Sequence, residues 1–161
     1  MYNVTVLCVG KLKEKFYIDA SEEYLKRLSR YCKLNLIELK EERLSENPSQ
    51  AQIDAALAKE ADAIRSKLPA NSSMIAMCIE GKLRSSEEMA KLISSWSTNG
   101  SGKHLVFLIG SCFGLHPSIK KEAWVQLSMS PMTFPHHLAR VMLLEQIYRS
   151  FQIMEGTKYH K

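Results

Sequence analysis

The chain has 161 residues, within the ~100 to 200 of one ordinary domain, so a single domain over 1–161 is expected. Apolar residues make up 45% and charged residues 24%, which excludes a disordered, collagen-like or disulfide-stapled chain. Twenty-two Lys and Arg against seventeen Asp and Glu leave +5, a modest surplus that favours anionic partners without requiring them. No apolar run reaches the roughly 20 residues needed to cross a bilayer. The start, Met1-Tyr2-Asn3-Val4-Thr5, lacks a basic segment followed by an apolar one, so a cytoplasmic protein without membrane contact is expected. Cys8, Cys32, Cys78 and Cys112 are scattered with no C-x-x-C, and are expected to be reduced and structural.

In chain order, residues 3–9 are β-branched and apolar and end at Gly10, so they read as a buried strand. Residues 16–31 carry Tyr17, Ala20, Tyr24, Leu25 and Leu28 at helical spacing. A second strand is predicted over 34–39 and a polar, mobile loop over 40–45. Asn47 as cap, Pro48 in the first helical position and Gln50 completing a capping box open a helix to about Lys67. Residues 74–79 are apolar but too short for a helix, and read as a central strand. Ser85 with Glu88 forms another capping box, opening a helix through Trp96. After a turn-rich stretch at 97–103, a fully apolar strand over 104–109 ends in Gly110-Ser111-Cys112-Phe113-Gly114. A short helix from Pro117 to about Trp124, a strand over 127–130 and a loop over 131–135 lead to a long helix over 136–154. Its predicted buried face is Leu138, Val141, Met142, Ile147, Tyr148 and Phe151.

Strands alternating with helices imply an α/β fold, a mostly parallel sheet with helices on both faces. Such sheets bind ligands beyond the carboxyl ends of their strands, so Glu80-Gly81-Lys82, 110–114 and 130–135 are expected to converge. The glycine-rich 110–114 stretch is neither G-x-G-x-x-G nor a Walker A loop; it is a bare βα turn or a backbone cradle for a ligand. The stretch 127–136, with two prolines, two methionines and a phenylalanine, either plugs the core or holds an apolar ligand. His136-His137 has no acidic or cysteine residue at i+3 or i+4, which leaves no metal site in view. No G-x-S-x-G nucleophile elbow occurs. Lys11, Lys13 and Lys15 precede a helix, where positive charge opposes the macrodipole; they are either solvated or meet an anion. Glu145 and Arg149 are an i, i+4 pair of structural character. Beyond Gly156, a natural helix terminator, Thr157-Lys158-Tyr159-His160-Lys161 is either a frayed tail or a compact set for RNA chemistry, with an aromatic to stack, an imidazole to carry a proton and lysines for phosphate.

Taken together, Val9-Gly10-Lys11-Leu12-Lys13, Ile79-Glu80-Gly81-Lys82, Leu108-Ile109-Gly110 with Gly114-Leu115, Leu127-Ser128 through Met132-Thr133-Phe134-Pro135-His136, Glu145-Gln146-Ile147-Tyr148-Arg149 and Tyr159-His160 occur in an order that spans the chain. This pattern resembles the SPOUT-class methyltransferases, and within them the small enzymes that methylate N3 of a pseudouridine in large-subunit ribosomal RNA. The resemblance implies a deep C-terminal trefoil knot, a homodimer with the RNA site shared across its interface, and the cofactor S-adenosyl-L-methionine. By position, Met77, Cys78, Gly110, Met129, Ser130, Pro131, Met132, Thr133 and Phe134 would contact the cofactor, with no metal involved. Tyr159 and His160 would position the base and assist removal of its proton, and Lys11, Lys13, Arg140 and Lys158 would meet phosphates. Where the family usually has a second glycine after Gly110 this chain has Ser111, and a position that is often polar holds Phe113. The alternatives are a tRNA-directed SPOUT methyltransferase and a non-catalytic RNA-binding ribosome-assembly factor. The absence of an appended RNA-binding domain weakly disfavours the tRNA reading.

Overall fold

β1 (Tyr2–Val9) collects the β-branched N-terminal run and ends at Gly10, whose φ of +112° carries the chain into a turn that a side chain would strain. α1 (Lys15–Leu28) then crosses to β2 (Cys32–Leu39), which pairs parallel to β1 along its whole length. In this computed structural model, which describes residues 1–100 and 102–161, three further crossovers follow. They run through α2 (Gln50–Lys67) to β3 (Ser72–Leu83), through α3 (Ser86–Thr98) to β4 (His104–Ile109), and through α4 (Pro117–Glu122) to β5 (Val125–Ser128). The chain closes with α5 (His136–Met154). Ser101, in the turn-rich stretch, lies outside the described residues.

The five strands form one all-parallel sheet in the order β2-β1-β4-β3-β5. Alternate residues feed two cores, as the strand period of two requires. Val4, Val6, Phe107 and Ile109 face α1, α3 and α5 through Leu28, Ile93, Trp96, Leu143 and Ile147. Leu7, Val9, Val106 and Leu108 face α2 and α4 through Ala61, Ile64 and Ile119. Residues 105–109, at most 5% exposed, are apolar in succession because β4 is covered on both faces.

Three details differ from the sequence expectations. α2 is capped by Ser49, boxed with Gln52, not by Asn47 with Gln50; the box needs its partners three apart along the true first turn, so Pro48 lies ahead of the cap. Residues 80–82 are not a loop but the bulged extension of β3. The pairing to Leu127 shifts from Met77 to Lys82, and a Cβ on Gly81 would sit 2.7 Å from the β5 backbone. The buried stripe of α5 is Arg140, Leu143, Leu144, Ile147, Ser150 and Phe151, while Leu138, Val141, Met142 and Tyr148 are only half-buried. A helical stripe containing a buried arginine is invisible to an apolar-periodicity reading.

That arginine ties the last helix to the first strand. Arg140 is 1% exposed; its Nη1 donates to Glu38 Oε2 at 2.6 Å and its Nη2 to the Gly10 carbonyl at 2.9 Å. The Leu12 N–H also donates to Glu38, at 3.0 Å, so the β1–α1 loop, the end of β2 and α5 share one polar node. Burial opposes ionisation of Glu38, but the Arg140 hydrogen bond, the Leu12 N–H and nearby positive charge outweigh it and hold the carboxyl below its ordinary value.

Candidate functional site

Beside residues 77–80 of β3 and beyond the carboxyl ends of β4 and β5 lies a cavity of about 640 Å³. This volume falls in the range of small-molecule sites. Of the residues expected to contact a cofactor, Met77, Cys78, Gly110, Met129, Ser130, Met132, Thr133 and Phe134 all line it; Pro131 does not, and is exposed. Sequence reasoning did not single out Ile79, Phe113, Lys120 or His136 as cofactor contacts, though they line the same cavity. The Lys120–Glu80 ion pair in its wall joins residues 40 positions apart, and no local spacing could have revealed it.

Local chemistry shapes the walls. Gly110 is glycine for lack of space: a Cβ there would lie 2.3 Å from the Gly114 carbonyl oxygen, because residues 110–114 fold into a turn closed by Gly114 N–H to the Ser111 carbonyl at 2.8 Å. The opposite wall is set by Ser130, whose carbonyl accepts from the Ser128 hydroxyl at 3.1 Å and whose Oγ accepts from the Met132 N–H at 2.9 Å. Ile79, Phe113 and Met132 are 52%, 45% and 73% exposed, an unusual amount of apolar surface beside one cavity. His136 has a buried Nε2 without a partner among the described residues. Burial, with His137 alongside, pushes the pKa of His136 below its ordinary value.

Cys8 and Cys32 are buried in the core, and burial pushes both thiols up to about 12. All four cysteines are free thiols, as expected, but Cys78 and Cys112 belong to the cavity wall, Cys112 exposed, so the expected structural role fits Cys8 and Cys32. Lys11, Lys13 and Lys158 are exposed. Arg140 leaves the phosphate-binding set, because its guanidinium is sealed in the node described above.

The C-terminal tail is ordered by α5 but does not line its own chain's cavity. The Tyr159 hydroxyl donates to Glu145 Oε1 at 3.2 Å, its ring packs edge-on to Tyr148 at 5.0 Å, and the Arg149 guanidinium lies 4.8 Å from the ring centre. The Glu145–Arg149 pair, 2.6 Å apart, is thus a cradle for the tyrosine. Burial and the Glu145 carboxylate raise the Tyr159 pKa, so it stays a neutral phenol near pH 7. His160 Nε2 meets Glu87 Oε1 at 2.7 Å, near the start of α3. That contact, with the Glu87 N–H and the Ser85 hydroxyl, lowers the Glu87 carboxyl to about 2 from 4.5. The part of this depression that comes from His160 favours the docked tail above about pH 4.5 and is lost as pH falls through the lowered value. Tyr159 ring resonances should move towards free-tyrosine positions across this window, and Glu87→Ala should produce the same change at neutral pH; resonances that stay put in both cases would contradict the docking.

A family model described as "Predicted SPOUT methyltransferase" matches residues 2–160. The chain belongs to the SPOUT methyltransferase family. Similar proteins include the ribosomal RNA large subunit methyltransferase H of Clostridium kluyveri, 44% identical over 159 residues and covering 99% of both chains. That of Clostridium beijerinckii is 45% identical over the same length and coverage. Among solved structures, a methylase family protein of Neisseria gonorrhoeae has a TM-score of 0.56 over 99% of this chain and 87% of its own, at 10% identity. The SPOUT fold, with its knotted C-terminal segment, is the fold of this chain. The cavity sits where residues 110–114 and the 128–136 stretch of this chain come together. No helix among the described residues is long and apolar enough to cross a membrane.

Proposed function

We propose that the chain methylates N3 of a pseudouridine in 23S ribosomal RNA, with S-adenosylmethionine as donor, as a homodimer acting on the assembled ribosome in the cytoplasm. The observation that carries the reading is the convergence of residues 77–80, 110–114 and 129–136 on one cavity of ligand size. It is supported by the similarity to proteins named ribosomal RNA large subunit methyltransferase H.

The donor set fits the cofactor. Exposed Ile79, Phe113 and Met132 offer apolar faces for an adenine, and the backbone of residues 110–114 and 129–134 offers hydrogen bonds at close range. The Glu80–Lys120 pair adds polar contacts for its charged end. S-adenosylmethionine, when bound, supplies a methyl group activated by a positive sulfur. The chain has to align N3 with that methyl and take the N3 proton as the N–C bond forms.

Tyr159, a neutral phenol, and His160 position the pseudouridine by stacking and hydrogen bonding and assist removal of its proton. Both residues dock on α5 and α3 rather than in their own cavity, so a second copy completes each site. The groove of about 580 Å³ bordered by Tyr24, Met89, Met129, Val141 and Met142 supplies apolar surface for that second copy to cover. Lys11, Lys13 and Lys158 face solvent and are the phosphate contacts.

Calorimetric titration with S-adenosylmethionine tests the cofactor assignment: saturable binding competed by S-adenosylhomocysteine is expected, and no binding overturns it. For the RNA, alanine at Lys11, Lys13 or Lys158 should reduce the slope of log affinity against log salt by about 0.7–0.9 per lost phosphate contact. A slope equal to wild type in all three would remove these lysines from the interface.

A further inference from the structure

Glu60, in the middle of α2, is 5% exposed, and its neighbours on the buried face are Ala56, Leu57, Ala61 and Ile64. None of the ion pairs among the described residues includes it. The charges around it are the carboxylates of Glu41 and Glu42, which together with burial push its own carboxyl above the ordinary value. A buried carboxylate among other carboxylates opposes folding unless its hydrogen bonds do something an apolar residue could not.

Those bonds are two. Glu60 Oε1 accepts from the Ser111 hydroxyl at 2.8 Å, and Oε2 accepts from the Glu42 N–H at 3.0 Å. Ser111, 7% exposed, is the residue after Gly110 in the cavity wall, and its carbonyl closes the turn by accepting from Gly114 N–H. The next residue, Cys112, is held from the same side, its N–H reaching Glu41 Oε1 at 3.5 Å. The turn forming one wall of the cavity is therefore fastened from behind, across the sheet face that α2 covers.

We infer that Glu60 is a positioning residue for the cofactor cavity: through the Ser111 hydroxyl its carboxylate sets the conformation of residues 110–114 before any ligand arrives. The inference rests on the reading of this cavity as the S-adenosylmethionine site. It explains why a carboxylate, and not another alanine or leucine, occupies this turn of α2. Removing either partner leaves the turn held only by its own backbone bond and the long Cys112–Glu41 contact, and the loss appears as poorer ligand binding and faster local opening, not as altered chemistry.

The test uses the full chain and four variants: Ser111→Ala, Glu60→Leu, the double variant, and Glu60→Gln, whose single carbonyl oxygen can accept from the Glu42 N–H while its NH2 donates to the Ser111 hydroxyl oxygen. Three quantities are read for each: amide exchange at Gly114 without ligand, affinity for S-adenosylmethionine by calorimetry, and KM against kcat for methyl transfer. Ser111→Ala should speed exchange at Gly114 and weaken S-adenosylmethionine roughly tenfold, the scale of one hydrogen bond to a charged group. KM for the cofactor should rise accordingly, with kcat little changed. The double variant should be no worse than the worse single one, and Glu60→Gln, which keeps a weaker neutral bond to Ser111, should fall between wild type and Glu60→Leu. Wild-type affinity and wild-type exchange in Ser111→Ala overturn the inference alone. Wild-type protein that does not bind S-adenosylmethionine overturns the cavity assignment and the inference with it.

Discussion

Replacing Arg140 by alanine is expected to lower the free energy of unfolding by about 1–3 kcal/mol, the scale for leaving hydrogen-bond acceptors without their buried donor. The loss is no larger because the Glu38 side chain is itself 32% exposed and water can reach it. The reason is what stays behind: Glu38 Oε2 loses a 2.6 Å partner and the Gly10 carbonyl a 2.9 Å donor, both within the polar node between α5 and the β1–α1 loop. The guanidinium is 1% exposed, so water cannot replace it without opening the packing of α5. Arg140→Met with Glu38→Gln should recover part of the loss, because neither charge is then left alone. Glu38 also gives the effect a pH signature. Its carboxyl is held below the ordinary 4.5, so its contribution to stability is complete above that pH and is lost as pH falls through the lowered value. Urea unfolding of wild type and Arg140→Ala at neutral pH and below pH 4.5 measures both; the difference between the proteins should shrink in acid. A neutral-pH loss below about 1 kcal/mol, within the range of surface ion pairs, would contradict the node.

Deleting Tyr159, His160 and Lys161 is expected to reduce methyl transfer by roughly 10²-fold or more, the scale of a positioned acid–base group, while leaving S-adenosylmethionine affinity close to wild type. The two effects separate because none of the three residues lines the cavity; Tyr159 instead rests on Glu145, Tyr148 and Arg149, and His160 on Glu87. The deletion should also leave stability nearly unchanged, since the helix end is held without it: Gly156 terminates α5 with φ of +67°, and the Thr157 N–H bonds back to the Gln152 carbonyl at 3.0 Å. Mixing the truncated chain with a full-length chain whose cavity is blocked should restore part of the activity if each tail serves the other copy's cavity. Turnover equal to wild type in the truncated protein would remove the tail from the mechanism.

How far the sequence alone reached follows from which forces are local. The strands and helices were legible because apolar periodicity and capping boxes act within a few residues: 104–109 and 136–154 match β4 and α5 as predicted, and the Ser85–Glu88 box stands at the head of α3. The α2 cap was misplaced by two residues because Asn47, Pro48 and Ser49 are all plausible helix-start residues, and only the observed Ser49–Gln52 bonds distinguish them. The extension of β3 through Gly81 was missed because a glycine at a strand bulge reads locally as a turn. Pairings across long stretches of chain left no local trace: Arg140 with Glu38, Glu60 with Ser111, Lys120 with Glu80. Arg140 shows the consequence most clearly, since charge counting places an arginine at the surface and only the packed structure buries it. The knot was equally beyond periodicity, and came from the family pattern.

The measurement that bears most directly on the whole account is transfer of labelled methyl from S-adenosylmethionine to intact ribosomes that carry the pseudouridine but lack its N3 methyl group, followed by locating the label in the RNA. The account predicts incorporation at N3 of that one base, abolished by the tail deletion. Label absent from 23S RNA, in a preparation that binds S-adenosylmethionine, would contradict it.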